Sequence, residues 1–484
     1  MKKFLSDTFF ITVGGFANRV KGLLFIPLIV QAVGMESYGA FVQVLNNIRL
    51  LKPFSSISLG MGFQRFASKI EDSDRRTLGL HFYTVFVPTL LFGLLGVAFL
   101  AAFATLLSRW FFEGGYVLEL QLSAIALLSN SMYSNISKYM LARKQFKIYS
   151  VLTMVYELLP YLAFVVGIAI PGGSFLLGIV AYVVLDMAMV LLMLGFIVFQ
   201  FPFVLPSYAL FREYLRFSFP LSLSEVEGGL LDKVDRYFIS GMMGLEAVAV
   251  YNIIYRVCSI IDFVTTPIRK QMMSYLPKVW DKGYIKESLA TIRNSLLLFL
   301  LITIGMLACF TIYFGEILRY LGGKEIAVPH LELIVLLVGV GIIASAAKRF
   351  YYLVVKLRNN SMDQLWYQLL GLLPNIVLNY LLIPSMGLLG AALSTFISYV
   401  LIILVINMKY KLDLDGPFFW HLASFLALSL VMLLIRQAFA METTFLFILN
   451  VGLSCLAYGA LIILLKRSFL LDVKRSFEAF RKIK

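Results

Sequence analysis

Apolar stretches long enough to cross a bilayer follow one another almost without pause from residue 8 to residue 465. A helix needs about 20 predominantly apolar residues to span the hydrocarbon core, and by that ruler the chain holds about fourteen spans. In lipid every backbone N–H and C=O must be satisfied internally, which confines a chain of this pattern to helices. Composition agrees: 60% of the 484 residues are hydrophobic and 14% are charged, against about 25% charged in a soluble domain. The expected fold is an all-α polytopic membrane protein.

The start, MKKFLSDTFFITVGG, has the basic residues and apolar run of a signal peptide. Asn18, Arg19 and Lys21 interrupt that run and no small-residue cleavage site follows, so it reads as a retained first span. Cys258, Cys309 and Cys455 all fall inside spans and outline no disulfide framework.

A formal net charge of +15 is compatible in principle with nucleic-acid binding. Where the cations sit argues otherwise. The N-terminus, the loops after even-numbered spans and the C-terminal tail hold about 31 of the 42 Lys and Arg, while the opposite connections hold about four, Arg109, Arg319, Lys324 and Arg436. This asymmetry predicts a cytoplasmic-membrane protein with both termini cytoplasmic. It also makes the tail KRSFLLDVKRSFEAFRKIK a segment lying on anionic membrane lipid, and no nucleic-acid partner is expected.

About seven cations remain at membrane depth: Arg19 and Lys21 in span 1, Arg49 and Lys52 in span 2, Lys233 and Arg236 in span 7, and Arg256 in span 8. None is assigned to the other ten spans. At a helix centre each would cost about 2.5 to 3.5 kcal/mol if it faced lipid, so they are expected to face a watery or protein-lined interior. Span 7 is the extreme case: SEVEGGLLDKVDRYFISGMMG carries Glu225, Glu227, Asp232, Lys233, Asp235 and Arg236. Asp232 and Arg236, four apart, have the favourable order for an intrahelical pair, whereas Arg19 and Lys21, two apart, cannot both point into one cavity.

Two short motifs recur at one offset. GMESYGAF, Gly34 to Phe41, joins spans 1 and 2, and GLEAVAVY, Gly244 to Tyr251, joins spans 7 and 8, about 210 residues on. IPGGSFLLG from Ile170 and IPSMGLLG from Ile383 join spans 5 and 6 and spans 11 and 12 at about the same offset. Because six spans is an even number, the halves are parallel repeats about an axis along the membrane normal. The expected organisation is one six-helix bundle over residues 1–205, a pseudo-symmetric second over 206–410, two further spans over 411–466 and a basic cytoplasmic tail over 467–484. The cations then occupy the first two helices of each half, and substrate sites of two-bundle carriers lie at the repeat interface.

With DRYFISGMMGLEAVAVYNIIYRV, Asp235 to Val257, and IPSMGLLGAALSTFISY, Ile383 to Tyr399, these motifs resemble the oligosaccharide and polysaccharide flippase branch of the multidrug/oligosaccharidyl-lipid/polysaccharide exporter superfamily. The resemblance covers essentially the whole chain. It implies a V-shaped pair of six-helix bundles, like that of the multidrug and toxin extrusion carriers. These would move a polyprenyl-diphosphate-linked glycan, such as an O-antigen repeat unit, from the inner to the outer leaflet by alternating access. It implies that Arg19, Arg49 and Arg256, with Lys21, Lys52, Lys233 and Arg236, line the cavity that holds the diphosphate and glycan, and that glycan polymerase or assembly proteins are neighbours. Arg suits that task, being planar, always ionised and bidentate toward phosphate. Pairing of these cations with carboxylates is the alternative.

The acids Glu157, Asp186, Glu225, Glu227, Asp262 and Glu332 are candidates for proton or sodium coupling, and Asp232, Asp235 and Asp262 for charge pairing, Asp262 with Arg256 across helices. No cofactor is expected; the membrane potential, H⁺ or Na⁺ would supply direction. Asn18, Asn46, Asn47, Tyr251, Asn252 and Tyr255 are candidate sugar contacts or packing groups. His81, His330 and His421 are scattered without metal-ligand spacing, and no metal site is expected. No catalytic residue is assigned, because every outward connection is short and no nucleophile or phosphate-loop motif occurs. The rival readings are a lipid II flippase of the same fold and, further off, a multidrug exporter, a membrane glycosyltransferase or a glycan polymerase.

Overall fold

Apolar side chains on every face leave these stretches only helix to form, and helix is what they adopt. The structure, a computed structural model, describes residues 2–412 apart from 68–69, 72, 144, 232, 265–271, 273–275, 277–278, 323–327 and 359. The side chains at 2–20, 22, 23, 224, 225, 227, 228, 264 and 361 also lie outside the described set. Helices α1 (Lys2–Ser56) and α2 (Leu59–Phe66) cover expected spans 1 and 2, and α3 (Arg75–Ala102) with the short α4 (Ala104–Phe111) covers span 3. Spans 4 to 6 are α5 (Val117–Ala142), α6 (Phe146–Ala169) and α7 (Phe175–Val198). Span 7 is split into α8 (Tyr208–Leu231) and α9 (Val234–Met243), and span 8 is α10 (Leu245–Cys258) followed by a 3-10 turn at Ser259–Val264. Spans 9 to 12 are α11 (Ile285–Gly322), α12 (Leu331–Leu357), α13 (Ser361–Met386) and α14 (Leu388–Lys409). Expected spans 13 and 14 and the basic tail lie outside the described residues. Among the described residues eight helices are long and apolar enough to cross a membrane, and the chain is a multi-pass membrane protein.

The first repeated motif has a backbone signature. Gly34, inside α1, adopts φ 83° and ψ 173°, and Gly244, between α9 and α10, adopts φ 89° and ψ 178°. Only glycine takes this conformation without steric penalty, so the same residue makes the same turn 210 residues apart. The second repeated motif joins α6 to α7 and α13 to α14, again as a hairpin at both places.

By internal packing the chain divides into two units, Met1–Ile253 with Leu321–Gly323, and Ile254–Tyr320 with the residues from Lys324 onward. In the first, Phe41 stacks on Phe164 at 4.2 Å between ring centroids and meets Tyr161 and Tyr182 edge-on. This ties α1 to α6 and α7. Side-chain caps fix two helix starts: the Asp74 carboxylate accepts from Thr77 N–H at 3.0 Å, and Ser174 Oγ from Leu177 N–H at 3.1 Å. The cap holds Asp74 below the usual carboxylate range. In the second unit Phe299 of α11 packs on Phe350 of α12, and Tyr351 donates to Asn407 Oδ1 of α14 at 2.9 Å.

Backbone approaches backbone most closely at Gly39, where an added Cβ would lie 1.9 Å from the Leu245 carbonyl oxygen and 2.7 Å from its carbon. Neither atom can swing aside. Gly39→Ala is therefore expected to destabilise the protein by about 1 to 3 kcal/mol, whereas Gly195→Ala, whose Cβ would meet nothing within 4 Å, should be neutral or slightly stabilising. Thermal unfolding in detergent compares them, and equal midpoints for the two variants would contradict this packing.

Candidate functional site

A buried cation must be answered by something in the protein, because lipid offers nothing. In the first unit the answer converges from α1, α6 and α7. Lys21, 3% exposed, pairs through Nζ with Glu157 Oε2 of α6 and lies over the Tyr161 ring, 4.6 Å from its centroid. Arg49 and Lys52, both half-buried on α1, act electrostatically on the same Glu157 carboxylate. Arg49 forms no ion pair with any described carboxylate. Asp186 of α7, 1% exposed, accepts a hydrogen bond from Ser129 Oγ of α5, and Lys21 and Lys52 are within reach of its charge. Three cations therefore act on Glu157, and two of them on Asp186 as well. Arg19 lies in α1, and its side chain is outside the described set.

Span 7 breaks where its ionisable residues cluster. Helix α8 ends at Leu231 and α9 begins at Val234, with Lys233 half-buried at the junction. Irregular backbone at membrane depth is tolerated only inside protein or beside a cavity. The Arg236 guanidinium, 4% exposed, contacts the carboxylate of its own neighbour Asp235 at 3.3 Å, and its centre lies 5.9 Å from the Tyr251 ring centroid. The intrahelical pair expected of Asp232 and Arg236 falls on a residue outside the described set, as do the side chains of Glu225 and Glu227.

Neutral polar groups line the packing of α9 and α10 on α1. Tyr237 donates to Asn47 Oδ1 at 2.8 Å, and Asn252 Nδ2 donates to Tyr38 Oη at 2.8 Å. Asn46, Asn47 and Asn252 are all buried. At the Gly244 turn, Glu113 Oε1 accepts from Leu245 N–H at 3.2 Å and Ser240 Oγ donates to the Phe111 carbonyl at 2.5 Å. The loop that supplies Glu113 holds Glu113 and Tyr116 at φ 54° and 61°, a left-handed conformation that non-glycine residues enter at a penalty.

In the second unit Arg256 is half-buried near the end of α10, with its carbonyl accepting from Ser259 Oγ at 2.7 Å. Asp262 is held by Arg349 of α12, whose Nη1 reaches both carboxylate oxygens at 2.7 and 2.9 Å. Arg349 and its neighbour Lys348 correct the count of cations at membrane depth: both lie inside α12, and Lys348 is 6% exposed with its ammonium 4.7 Å from the Tyr399 ring centroid. The signal was present as a charged dipeptide between two apolar runs, SAAKRFYYLVV. Among the described residues no group of three or more His, Cys, Asp or Glu is placed to hold a metal. His81 instead hydrogen-bonds Tyr214 at 2.7 Å, and Cys258 and Cys309 are buried.

Residues 4–272, more than half of the chain, match the model of a family described as polysaccharide biosynthesis protein. A putative O-antigen transporter of Shigella flexneri is 23% identical over 203 residues, 42% of this chain and 48% of that protein. The chain thus matches about half the length of this curated relative. Among solved structures, a lipid II flippase MurJ in an inward closed conformation superposes with a TM-score of 0.78 over 95% of this chain and 99% of its own, at 14% identity. An inward-facing multidrug resistance MATE family transporter of the MOP superfamily gives 0.57 over 84% and 95%, at 13% identity. The fold is the one that these transporters share.

The Lys21 and Glu157 pair generates a test. Removing one member of a buried pair strands the other charge, at about 3 to 5 kcal/mol, whereas removing both leaves no orphan. Lys21→Met and Glu157→Gln should each lower the unfolding midpoint, Glu157→Gln the more because Arg49 and Lys52 still act on the acid when Lys21 is gone, and the double variant should lose less than the sum of the singles. A double variant as unstable as the sum of the singles would show that the two charges do not meet.

Proposed function

We propose that this chain, which belongs to the family of polysaccharide biosynthesis proteins, is a flippase that carries a polyprenyl-diphosphate-linked oligosaccharide from the inner to the outer leaflet of the cytoplasmic membrane. The single observation that carries the reading is that Lys21, Arg49 and Lys52 all act on Glu157, Lys21 by a direct ion pair and Arg49 without an ion pair to any described carboxylate. A membrane protein that gathers more cations than acids at depth is suited to an anion. A lipid diphosphate supplies one that must cross the low-dielectric slab, and guanidinium groups match its oxygens bidentately.

In this reading the chain works without catalysis, metal or cofactor. Its two bundles, residues 1–205 and 206–410, rock to expose the headgroup first inside and then outside, while spans 13 and 14 (411–466) offer a path for the prenyl tail and residues 467–484 lie on the inner leaflet. Both termini are cytoplasmic, which puts the Gly34 and Gly244 turns at the outer end. Arg49, Arg256 and Arg19 hold the diphosphate, helped by Lys21, Lys52, Lys233 and Arg236. Moving net negative charge outward across an interior-negative membrane is favoured by about 2.3 kcal/mol per charge per 100 mV, so no nucleotide hydrolysis is needed. Exchange of H⁺ or Na⁺ at Asp186, Glu225, Glu227 or Asp262 would add to that drive. Glycan polymerase and assembly proteins are the natural neighbours of such a product.

Native mass spectrometry of the protein purified with its lipids tests the reading. Wild type should retain a polyprenyl-diphosphate oligosaccharide, and Arg49→Ala with Arg256→Ala should reduce its occupancy by at least about tenfold, the effect of losing about 1.4 kcal/mol of binding. Lipid II in its place would identify the protein as a peptidoglycan-precursor flippase. Equal occupancy in wild type and the double variant would overturn the assignment of the cations.

A further inference from the structure

Gly39, Gln43 and Asn47 are spaced by four and therefore stack along one face of α1. Both ends of that row touch α9 or α10: Gly39 abuts the Leu245 carbonyl, and Asn47 accepts from Tyr237. Gln43 sits between them, 0% exposed, and neither its amide nitrogen nor its amide oxygen has a hydrogen-bond partner among the described residues. Asn46 and Asn47, each 4% exposed, leave their Nδ2 groups without a partner among the described residues as well. Buried amides without partners are destabilising, and the same face packed with Leu and Met would avoid the penalty. The row nevertheless carries two amides, Gln43 and Asn47, with the buried Asn46 one position aside. The seam is also fastened at its outer end by replaceable polar contacts, the Glu113 carboxylate on Leu245 N–H and Ser240 on the Phe111 carbonyl, from a loop held in a strained conformation. A seam built this way is suited to opening.

We propose that Gln43, Asn46 and Asn47 form a glycan-binding ladder, closed in this structure and exposed when α9 and α10 part from α1, whose free amides then take the hydroxyl groups of the passing oligosaccharide. The inference rests on the flippase reading and deepens it by naming where the sugar, as distinct from the diphosphate, is handled. An amide offers donors and an acceptor, which suits a hydroxyl that is both. Being uncharged, the ladder does not compete for the diphosphate. Its contacts are individually weak, so the glycan is guided along the seam and released.

The test uses the full-length protein in proteoliposomes with two probes, a polyprenyl-diphosphate oligosaccharide and polyprenyl diphosphate without sugar. The variants are Gln43→Met and Asn46→Leu, which keep volume and delete hydrogen bonding. Each variant is expected to unfold about 1 to 3 °C higher than wild type, because an unsatisfied amide has been removed. Each should also carry the glycan probe about tenfold more slowly while carrying the bare diphosphate at the wild-type rate. A lowered unfolding temperature would mean that the amides have structural partners, and would overturn the ladder. So would variants that carry both probes as wild type does. If wild type carries neither probe, the flippase reading fails and the ladder falls with it, an outcome distinct from the other two.

Discussion

An ionisable or hydrogen-bonding group at membrane depth has to be answered by the protein, since lipid solvates neither charge nor amide. Much of the first unit is arranged around that constraint. Lys21 crosses to Glu157, Asp186 is held by Ser129, and Arg236 turns to its own neighbour Asp235. The second unit meets the same demand with the two-point contact of Arg349 on Asp262 and with Lys348 over Tyr399. What stands out against this bookkeeping is the remainder: Arg49, which acts on Glu157 without a direct ion pair to any described carboxylate, and three buried amides with atoms that find no partner among the described residues. Those are the groups through which cargo is proposed to act.

The two kinds of remainder divide the work by chemistry. Cations near Glu157 suit a diphosphate, which stays ionised and needs charge. Amides along the seam of α1 with α9 and α10 suit sugars, which need many neutral contacts and no strong one. Glycine makes the seam geometrically accessible, through the equivalent turns at Gly34 and Gly244 and through the missing side chain at Gly39 that lets α1 approach Leu245.

How much of this was legible in the sequence depends on the range of the interaction. Helix positions follow from runs of apolar residues, a local property, so the expected spans up to residue 408 coincide with described helices. The repeat showed through because Gly34 and Gly244 are needed for their backbone conformation whatever surrounds them. Partner choice was not legible. Asp262 is one candidate in the sequence for neutralising Arg256, six residues away, but nothing local announces that Arg349, 87 residues away on a packed helix, also holds its carboxylate. Lys348 and Arg349 lie within α12, and a two-residue charged step between apolar runs does not by itself tell depth from a helix end. Gln43 carried no signal of its own, because an amide looks the same in sequence whether its hydrogen bonds are made or missing.

An anionic lipid-linked headgroup is proposed to pass through this protein, held by its buried cations. The most direct measurement is the flux of a labelled polyprenyl-diphosphate oligosaccharide across proteoliposomes under imposed potassium diffusion potentials of either sign. Outward flux accelerated by an interior-negative potential and slowed by its reversal is the result this account predicts. Flux absent at both polarities, or indifferent to polarity, would contradict it.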